Sequence, residues 1–163
     1  RDINHHLLQI NSDRFNAINK DCIPTHLEGV KNTPFDFTSF HMIGERINAN
    51  DVQIKNGAGY DHTFVLDNGV PTKPELAATV IGDLSGIAME VYTTEPGVHF
   101  YTGNSMHGLH TFKSGVKDDS RTAFCLETQH YPNSPNNPAA PSTIKEAAKK
   151  YSSVTIHKFF IHQ

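Results

Sequence analysis

The chain is poor in several features that mark particular classes of protein. No run approaches the roughly 18 consecutive apolar residues that a membrane helix needs, which excludes a helical membrane-spanning protein. Fourteen Lys and Arg against seventeen Asp and Glu give a net charge of −3, without the basic excess of a nucleic-acid binder. The two cysteines, Cys22 and Cys125, are too few for a disulfide scaffold. Their spacing leaves their pairing open, although reduced, buried thiols are favoured.

Common catalytic and metal-binding motifs are missing as well. The sequence contains no P-loop, G-x-G-x-x-G, G-x-S-x-G or C-x-x-C, so phosphate cradles and the familiar nucleophile motifs have no support. Eleven histidines are present, and their closest groupings are His5-His6 and His107-Gly108-Leu109-His110. Neither grouping supplies the three or four ligands of a zinc site, so no metal is predicted.

Short strand-like segments dominate a chain of 163 residues, which is the size of one domain. Each segment is rich in β-branched or aromatic residues and is bounded by Gly, Pro, Asn or Asp. They cover residues 6–10, 63–66, 77–81, 86–93, 98–102, 122–129 and 153–160. Strands without alternating long helices predict an all-β fold, an antiparallel sandwich rather than a parallel α/β sheet.

Turn and helix signals lie between these strands. Asp67-Asn68-Gly69 predicts a turn, and residues 83–86 predict the tip of a hairpin. Residues 132–141 contain four prolines and predict an ordered polar loop or a linker. Residues 143–150 have capping-box spacing and helix-forming residues, so they predict one or two helical turns at the surface.

Two places offer chemistry. Side-chain alternation puts Cys125, Glu127 and Gln129 on one face of their strand, opposite Phe124 and Leu126, which should face the core. A carboxylate beside an amide suits a concave site for hydroxyl-rich ligands, although a solvated Glu on a half-exposed strand has the same pattern.

The second place is the glycine-rich junction at residues 57–64, where Asp61 precedes a strand. Junctions of this kind can direct polar groups into a pocket. The alternative is a turn in which Asp61 caps its own backbone.

Several motifs, in this order, resemble those of the aldose 1-epimerase (galactose mutarotase) family. They include Ile-Pro-Thr at 23–25, Gly-Tyr-Asp-His-Thr-Phe at 59–64, and Cys-Leu-Glu-Thr-Gln at 125–129. The remaining matching segments are residues 4–10, 29–37, 43–47, 92–104 and 132–135. The match spans nearly the whole chain, but it corresponds to the carboxyl-terminal half of the family's domain. Residues 1–163 are therefore expected to be the carboxyl-terminal part of one mutarotase-like sandwich.

The resemblance implies a cofactor-free, mostly cytoplasmic enzyme that interconverts α and β anomers of free hexoses. Glu127 takes the position of the family's general base, and Asp61 that of a carboxylate which hydrogen-bonds the sugar. Phe100 or Tyr101 is expected to offer an apolar face to the sugar ring. The acid, a histidine, belongs to the amino-terminal half of the family's domain. His99 stands where the family commonly has Gln.

Other functions are compatible with the same sequence. A non-catalytic carbohydrate-binding or structural module would keep the sandwich without turnover. A sugar-phosphate epimerase would need a basic phosphate clamp, which these residues do not reveal. Half a sandwich leaves a strand edge and an apolar sheet face uncovered, so contact with the amino-terminal half or with a second copy is expected.

Overall fold

Ten strands and one short α-helix make up most of the regular structure. The computed structural model describes residues 2–66 and 70–162. The strands are β1 (Leu7–Ile10), β2 (Arg14–Ile18), β3 (Pro24–Gly29), β4 (His41–Met42), β5 (Asp61–Val65), β6 (Glu75–Ile81), β7 (Ile87–Thr93), β8 (Gly97–Tyr101), β9 (Cys125–Gln129) and β10 (Thr155–Ile161). The helices are α1 (Val52–Gly57) and two single 3₁₀ turns, Ile43–Glu45 and Ser134–Asn136.

The strands form two antiparallel sheets of five strands each. One sheet has the order β10-β7-β6-β1-β4, and the other has the order β3-β2-β5-β8-β9. Every described strand pair is antiparallel, as hairpin-rich sequences favour. The second sheet is called the site sheet below, because it carries both Asp61 and Glu127.

One hydrophobic cluster joins the two sheets. The first sheet contributes Leu8 and Val80, and the site sheet contributes Phe64 and Phe100. Phe35 packs across the site sheet, with its ring centroid 4.2 Å from that of Phe15 in a stacked geometry. Large apolar side chains from one face of each sheet thus exclude water between the layers, the arrangement of a sandwich.

The structure has a strand at each predicted strand segment, but the ends of some strands differ from the predicted ends. Each of the seven predicted segments overlaps a strand, with ends that coincide or differ by up to three residues. The exposed Glu127 of β9, and the core-facing Leu126 of β9 and Phe124 just before it, follow the predicted alternation. Strands β2, β3 and β4 were not predicted, because Asn16 and Ala17 in β2 and Pro24 and Gly29 in β3 weaken the strand signal.

The helix prediction for residues 143–150 is wrong. These residues have no helical assignment, and Ile144 is 82% exposed. An eight-residue segment without a packed face does not compensate the cost of nucleating a helix. The α-helix forms instead at α1, where Asp51 caps the first turn by accepting hydrogen bonds from the amides of Gln53 and Ile54.

The loop predictions have mixed outcomes. The hairpin tip at residues 83–86 joins β6 to β7, and Gly86 adopts the positive φ of 64° that the turn requires. Residues 132–141 form a loop with one 3₁₀ turn, as the prolines indicate. The turn predicted at Asp67-Asn68-Gly69 lies outside the described residues. In the described part of the chain, no helix is long and apolar enough to cross a membrane.

Candidate active site

Strand pairing lines up polar side chains across the open face of the site sheet. Thr63 on β5 pairs with His99 on β8, and His99 pairs with Glu127 on β9. Phe15 pairs with Phe64, so Asn16, the next residue of β2, lies beside Thr63 in the same line. The line of Asn16, Thr63, His99 and Glu127 is called the polar row below. Directly paired residues point their side chains to the same face, so the row forms one continuous polar strip.

Asp61 lies one pleat along from this row and is joined to it by His99. The Nε2 atom of His99 is 2.8 Å from Oδ1 of Asp61, and Nδ1 is 2.9 Å from Oγ1 of Thr63. When Nε2–H donates to the carboxylate, Nδ1 of the neutral ring accepts the Thr63 hydroxyl. The Asp61 and His99 side chains are 30% and 19% exposed, so both remain accessible from the open face.

Asp61 is held from behind by a buried histidine on the core face. His62 is fully buried, and its Nδ1 accepts the backbone N–H of Asp61 at 3.1 Å. Its Nε2 contacts Oε1 of Gln53 at 3.3 Å, and the same oxygen accepts the amide of Ile18. Burial lowers the pKa of His62 to about 3, against a smaller opposing effect of the Asp61 charge. A neutral imidazole therefore connects α1, β2 and the start of β5.

A glycine turn leads the chain into β5. Gly59 has a φ of 137°, and a Cβ at this position would lie 2.4 Å from Oδ1 of Asn104. The Asn104 amide donates to the carbonyls of Gly57 and Tyr60 at 2.9 and 3.0 Å. Only glycine combines this backbone conformation with such a close approach, so the turn fixes where Asp61 emerges.

Glu127 is an exposed carboxylate with a thiol for a neighbour. Cys125 lies two residues earlier on the same face, close enough for the Glu127 carboxylate to act on its thiol. Burial, and then the Glu127 charge, raise the pKa of Cys125. Burial and the Asp61 charge likewise raise the pKa of Cys22. Each cysteine thus lies close enough to one candidate carboxylate to sense its charge.

Both cysteines are free, as predicted, but the prediction that they are buried is wrong. Cys22 and Cys125 are exposed. Cys22 lies in the β2–β3 turn with a positive φ of 59°, and Cys125 points to the open face of an edge strand. Within residues 2–66 and 70–162, no group of three His, Cys, Asp or Glu is placed to hold a metal ion.

Phe100 requires a correction. Its side chain is 0% exposed and lies on the core face, stacked on Tyr60 with ring centroids 5.3 Å apart. Alternation along β8 gives the open face to His99 and Tyr101 instead. Tyr101 is therefore the aromatic residue of β8 that lies on the same face as Glu127, and Phe100 supports the sheet from below.

Three members of the polar row were not among the predicted site residues, and His99 was noted only as standing where the family commonly has Gln. Asn16 lies on a strand that was not predicted, and Thr63 was seen only as part of a strand. The usable signal is spacing, because Thr63 is two residues from Asp61 and His99 is two from Tyr101. Strand register, which the sequence does not display, decides that these pairs meet.

Comparisons with known proteins place the chain in a family. Residues 1–158 match the family model described as Aldose 1-epimerase. The chain belongs to the aldose 1-epimerase family. Galactose mutarotase of Rattus norvegicus is 34% identical over 161 residues, which are 98% of this chain and 45% of that protein. Aldose 1-epimerase of Escherichia coli (strain K12) is 34% identical over 161 residues, which are 97% of this chain and 46% of that protein. The chain therefore spans about half the length of these family members.

Solved structures share the fold. A GalM/aldose epimerase homologue from C. elegans superposes with a TM-score of 0.78 at 19% identity, covering 99% of this chain and 47% of that one. Galactose 1-epimerase from Lactobacillus acidophilus NCFM gives a TM-score of 0.69 at 22% identity, covering 99% and 46%. The predicted all-β, antiparallel sandwich of the galactose mutarotase type is confirmed.

Proposed function

We propose that this chain carries one half of the active site of an aldose 1-epimerase that acts on free hexoses such as glucose and galactose. The observation that supports this most strongly is the polar row, in which Glu127 shares one open sheet face with the Asp61–His99 pair. Two carboxylates and an imidazole on one accessible face suit both hydroxyl recognition and proton transfer.

Anomer interconversion needs one base and one acid. Glu127 removes the proton of the anomeric hydroxyl while an acid protonates the ring oxygen, so the bond from C1 to the ring oxygen breaks. The resulting aldehyde rotates about the bond from C1 to C2. Ring closure by the reverse proton transfers gives either anomer, with each proton-transfer group contributing about 10²–10⁴-fold in rate.

The exposed position of Glu127 suits the base. The carboxylate is accessible to a ligand that approaches the sheet face. Asp61, fixed by His62 from behind and by His99 from the side, hydrogen-bonds sugar hydroxyls and orients the ring. Both ring nitrogens of His99 are already engaged by Asp61 and Thr63, so His99 positions Asp61, and the acid is a histidine of the family's amino-terminal half.

The proposal is tested by polarimetry of freshly dissolved α-glucose and α-galactose. The 163-residue chain alone is expected to leave the spontaneous rate unchanged, because it supplies the base without the acid. A chimera that joins this chain to the part of the Escherichia coli relative that precedes the matched region is expected to accelerate mutarotation. Glu127→Gln in the chimera should remove about 10²–10⁴-fold of that acceleration.

The outcomes separate the proposal from a binding module. Acceleration by the chain alone that Glu127→Gln abolishes would overturn the division of base and acid between the two halves. A chimera that folds, binds sugar and never accelerates mutarotation would favour the non-catalytic carbohydrate-binding module. The observation behind that alternative is the double engagement of His99, which leaves the polar row without a free imidazole.

Strand β10 offers a surface on which the isolated chain can pair with another segment or chain. It is the edge of its sheet, and Ile156, Phe159 and Ile161 are each about half exposed or more. An apolar edge strand of seven residues is a template for further pairing. We expect the amino-terminal half of the family's domain, or a second copy when that half is absent, to cover it. Sedimentation of the isolated chain as a dispersed monomer would contradict this expectation.

A further inference from the structure

A cleft opens on the same face of the site sheet, at the far end of the polar row from Glu127. It has a volume of about 250 Å³, and the loop after β9 closes it on one side. The polar residues that line it come from two strands and from that loop. They are Asn16, Thr25, His26, Asn133, Asn136 and Asn137.

Asn16 in this cleft carries a hydrogen-bond donor without a partner. The residue is 5% exposed, and its Nδ2 atom is buried with no hydrogen-bond acceptor. Buried donors are nearly always paired, so an orphaned amide in a cleft wall indicates a missing acceptor. Asn16 lines the cleft, and a donor role there requires a rotation about χ2, a broad torsion for Asn, that turns Nδ2 towards it.

The chemistry of the lining selects a neutral ligand. No permanently charged side chain is among the described lining residues, and His26 is the only titratable one. The side chain of Asn136 donates to Oδ1 of Asn133 at 2.6 Å, which organises the amides of the loop. Leu27 and two prolines complete the wall with apolar surface. The amides can hydrogen-bond the hydroxyls of a sugar, and the small apolar patches can contact its C–H groups. The lining offers no counter-charge to a phosphate or carboxylate.

We propose that this amide-lined cleft binds sugar hydroxyls remote from the reacting anomeric carbon, and that Asn16 is a specificity-determining donor to them. The inference rests on the proposed function, because it assumes that the sugar reacts at Glu127. Three strand spacings separate Asn16 from Glu127, about 14 Å. The hydroxyls belong either to the far side of the reacting ring or to a second glycosyl unit attached to it.

The test is sugar binding by the Asn16→Leu variant, measured by isothermal titration calorimetry on the same chimera. The probes are glucose and galactose as single rings, and maltose and lactose as two-ring sugars with a reducing glucose. If the cleft serves a second unit, the variant weakens maltose and lactose about tenfold and leaves glucose unchanged. If it serves the reacting ring, all four sugars weaken by a similar factor, since one hydrogen bond is lost in each case.

Two further variants keep the test independent of folding. Asn136→Ala, on the exposed loop, should weaken the same sugars in the same pattern. Asn50→Ala, on the exposed segment before α1, is the matched amide removal outside the cleft and should change no affinity. Asn16→Leu should also unfold at a higher urea concentration than the parent, because it removes an unpaired buried donor.

The failures are distinguishable. Unchanged affinity for every sugar in Asn16→Leu and Asn136→Ala would overturn the cleft assignment while leaving the epimerase proposal intact. Absence of sugar binding by the parent chimera would overturn both. Loss of mutarotation in Glu127→Gln with intact cleft-dependent binding would support both.

Discussion

Two histidines on neighbouring strands of the site sheet have opposite environments. His62 on β5 faces the core, where its ring centroid lies 4.5 Å from that of Phe35, and burial lowers its pKa to about 3. His99 on β8 faces the open side, between Asp61 and Thr63. Because successive side chains of a strand point to opposite faces, a residue that stabilises the core lies next in sequence to a residue of the candidate site.

The comparison has a direct consequence for substitutions. Changes on the core face should alter the free energy of unfolding, because they disturb packed aromatic rings. Changes on the open face should alter ligand binding or side-chain reactivity and leave stability nearly unchanged. The four predictions below test this division, beginning with the largest expected effect.

Phe100→Ala should destabilise the chain by about 3–5 kcal/mol, because it removes a fully buried ring from the aromatic cluster. The substitution His99→Gln, at the neighbouring residue on the other face, should lower the free energy of unfolding by less than about 1 kcal/mol. Urea denaturation followed by circular dichroism measures both. Equal losses for the two variants would show that the faces do not differ as described.

Gly59→Ala should cost about 2–3 kcal/mol, because its φ of 137° and the nearby Asn104 side chain both exclude a Cβ. Gly115→Ala is the matched control, since its φ is also positive, at 80°, but no atom lies within 4 Å of an added Cβ. That control should cost about 1 kcal/mol. A Gly59→Ala variant as stable as the control would mean that Asn104 does not constrain the turn.

His62 should make the chain less stable as the pH falls below 6.5. The unfolded chain protonates this imidazole near pH 6.5, whereas the folded chain resists protonation down to about pH 3. The unfolded state therefore binds one more proton between these values, and stability falls by about 2 kcal/mol from pH 7 to pH 5. The stabilising contribution is fully present above pH 6.5.

The non-titrating variant His62→Gln isolates this effect. Glutamine takes up no proton on unfolding, so the free energy of unfolding of this variant should change less than that of the parent between pH 7 and pH 5. Urea titrations at pH 7, 6 and 5 measure the difference. Parallel curves for parent and variant would contradict a buried, neutral His62.

Glu127→Gln should speed alkylation of Cys125 by iodoacetamide while leaving stability within about 0.5 kcal/mol. The Glu127 charge raises the pKa of the Cys125 thiol, so removing it increases the thiolate fraction at a fixed pH. The measurement uses a Cys22→Ser background, so that one thiol reports. An unchanged alkylation rate would place Glu127 too far from Cys125 for the geometry described.

The sequence alone predicted seven of the ten described strands and the outward face of β9. Alternation in residues 122–129 correctly separated Glu127 from Leu126, since a half-buried strand has an unambiguous period. Phe100 was misplaced because the expectation came from the resemblance, which offered Phe100 or Tyr101 without saying which of the two faces the core; the structure buries Phe100. The pairing of Thr63 with His99 was not predictable, because it joins residues 36 positions apart.

The position of Glu127 on a pleated edge strand constrains how this site can vary. Because Leu126 in β9 and Phe124 just before it pack against the core on the opposite side, a one-residue slip would bury the acid and expose both apolar groups. An insertion within β9 would therefore disrupt the site and the core together, whereas single replacements at the outward positions leave the core packing intact. The backbone register of this strand is therefore fixed, while its outward side chains can be exchanged. New ligand preferences can thus arise by single substitutions.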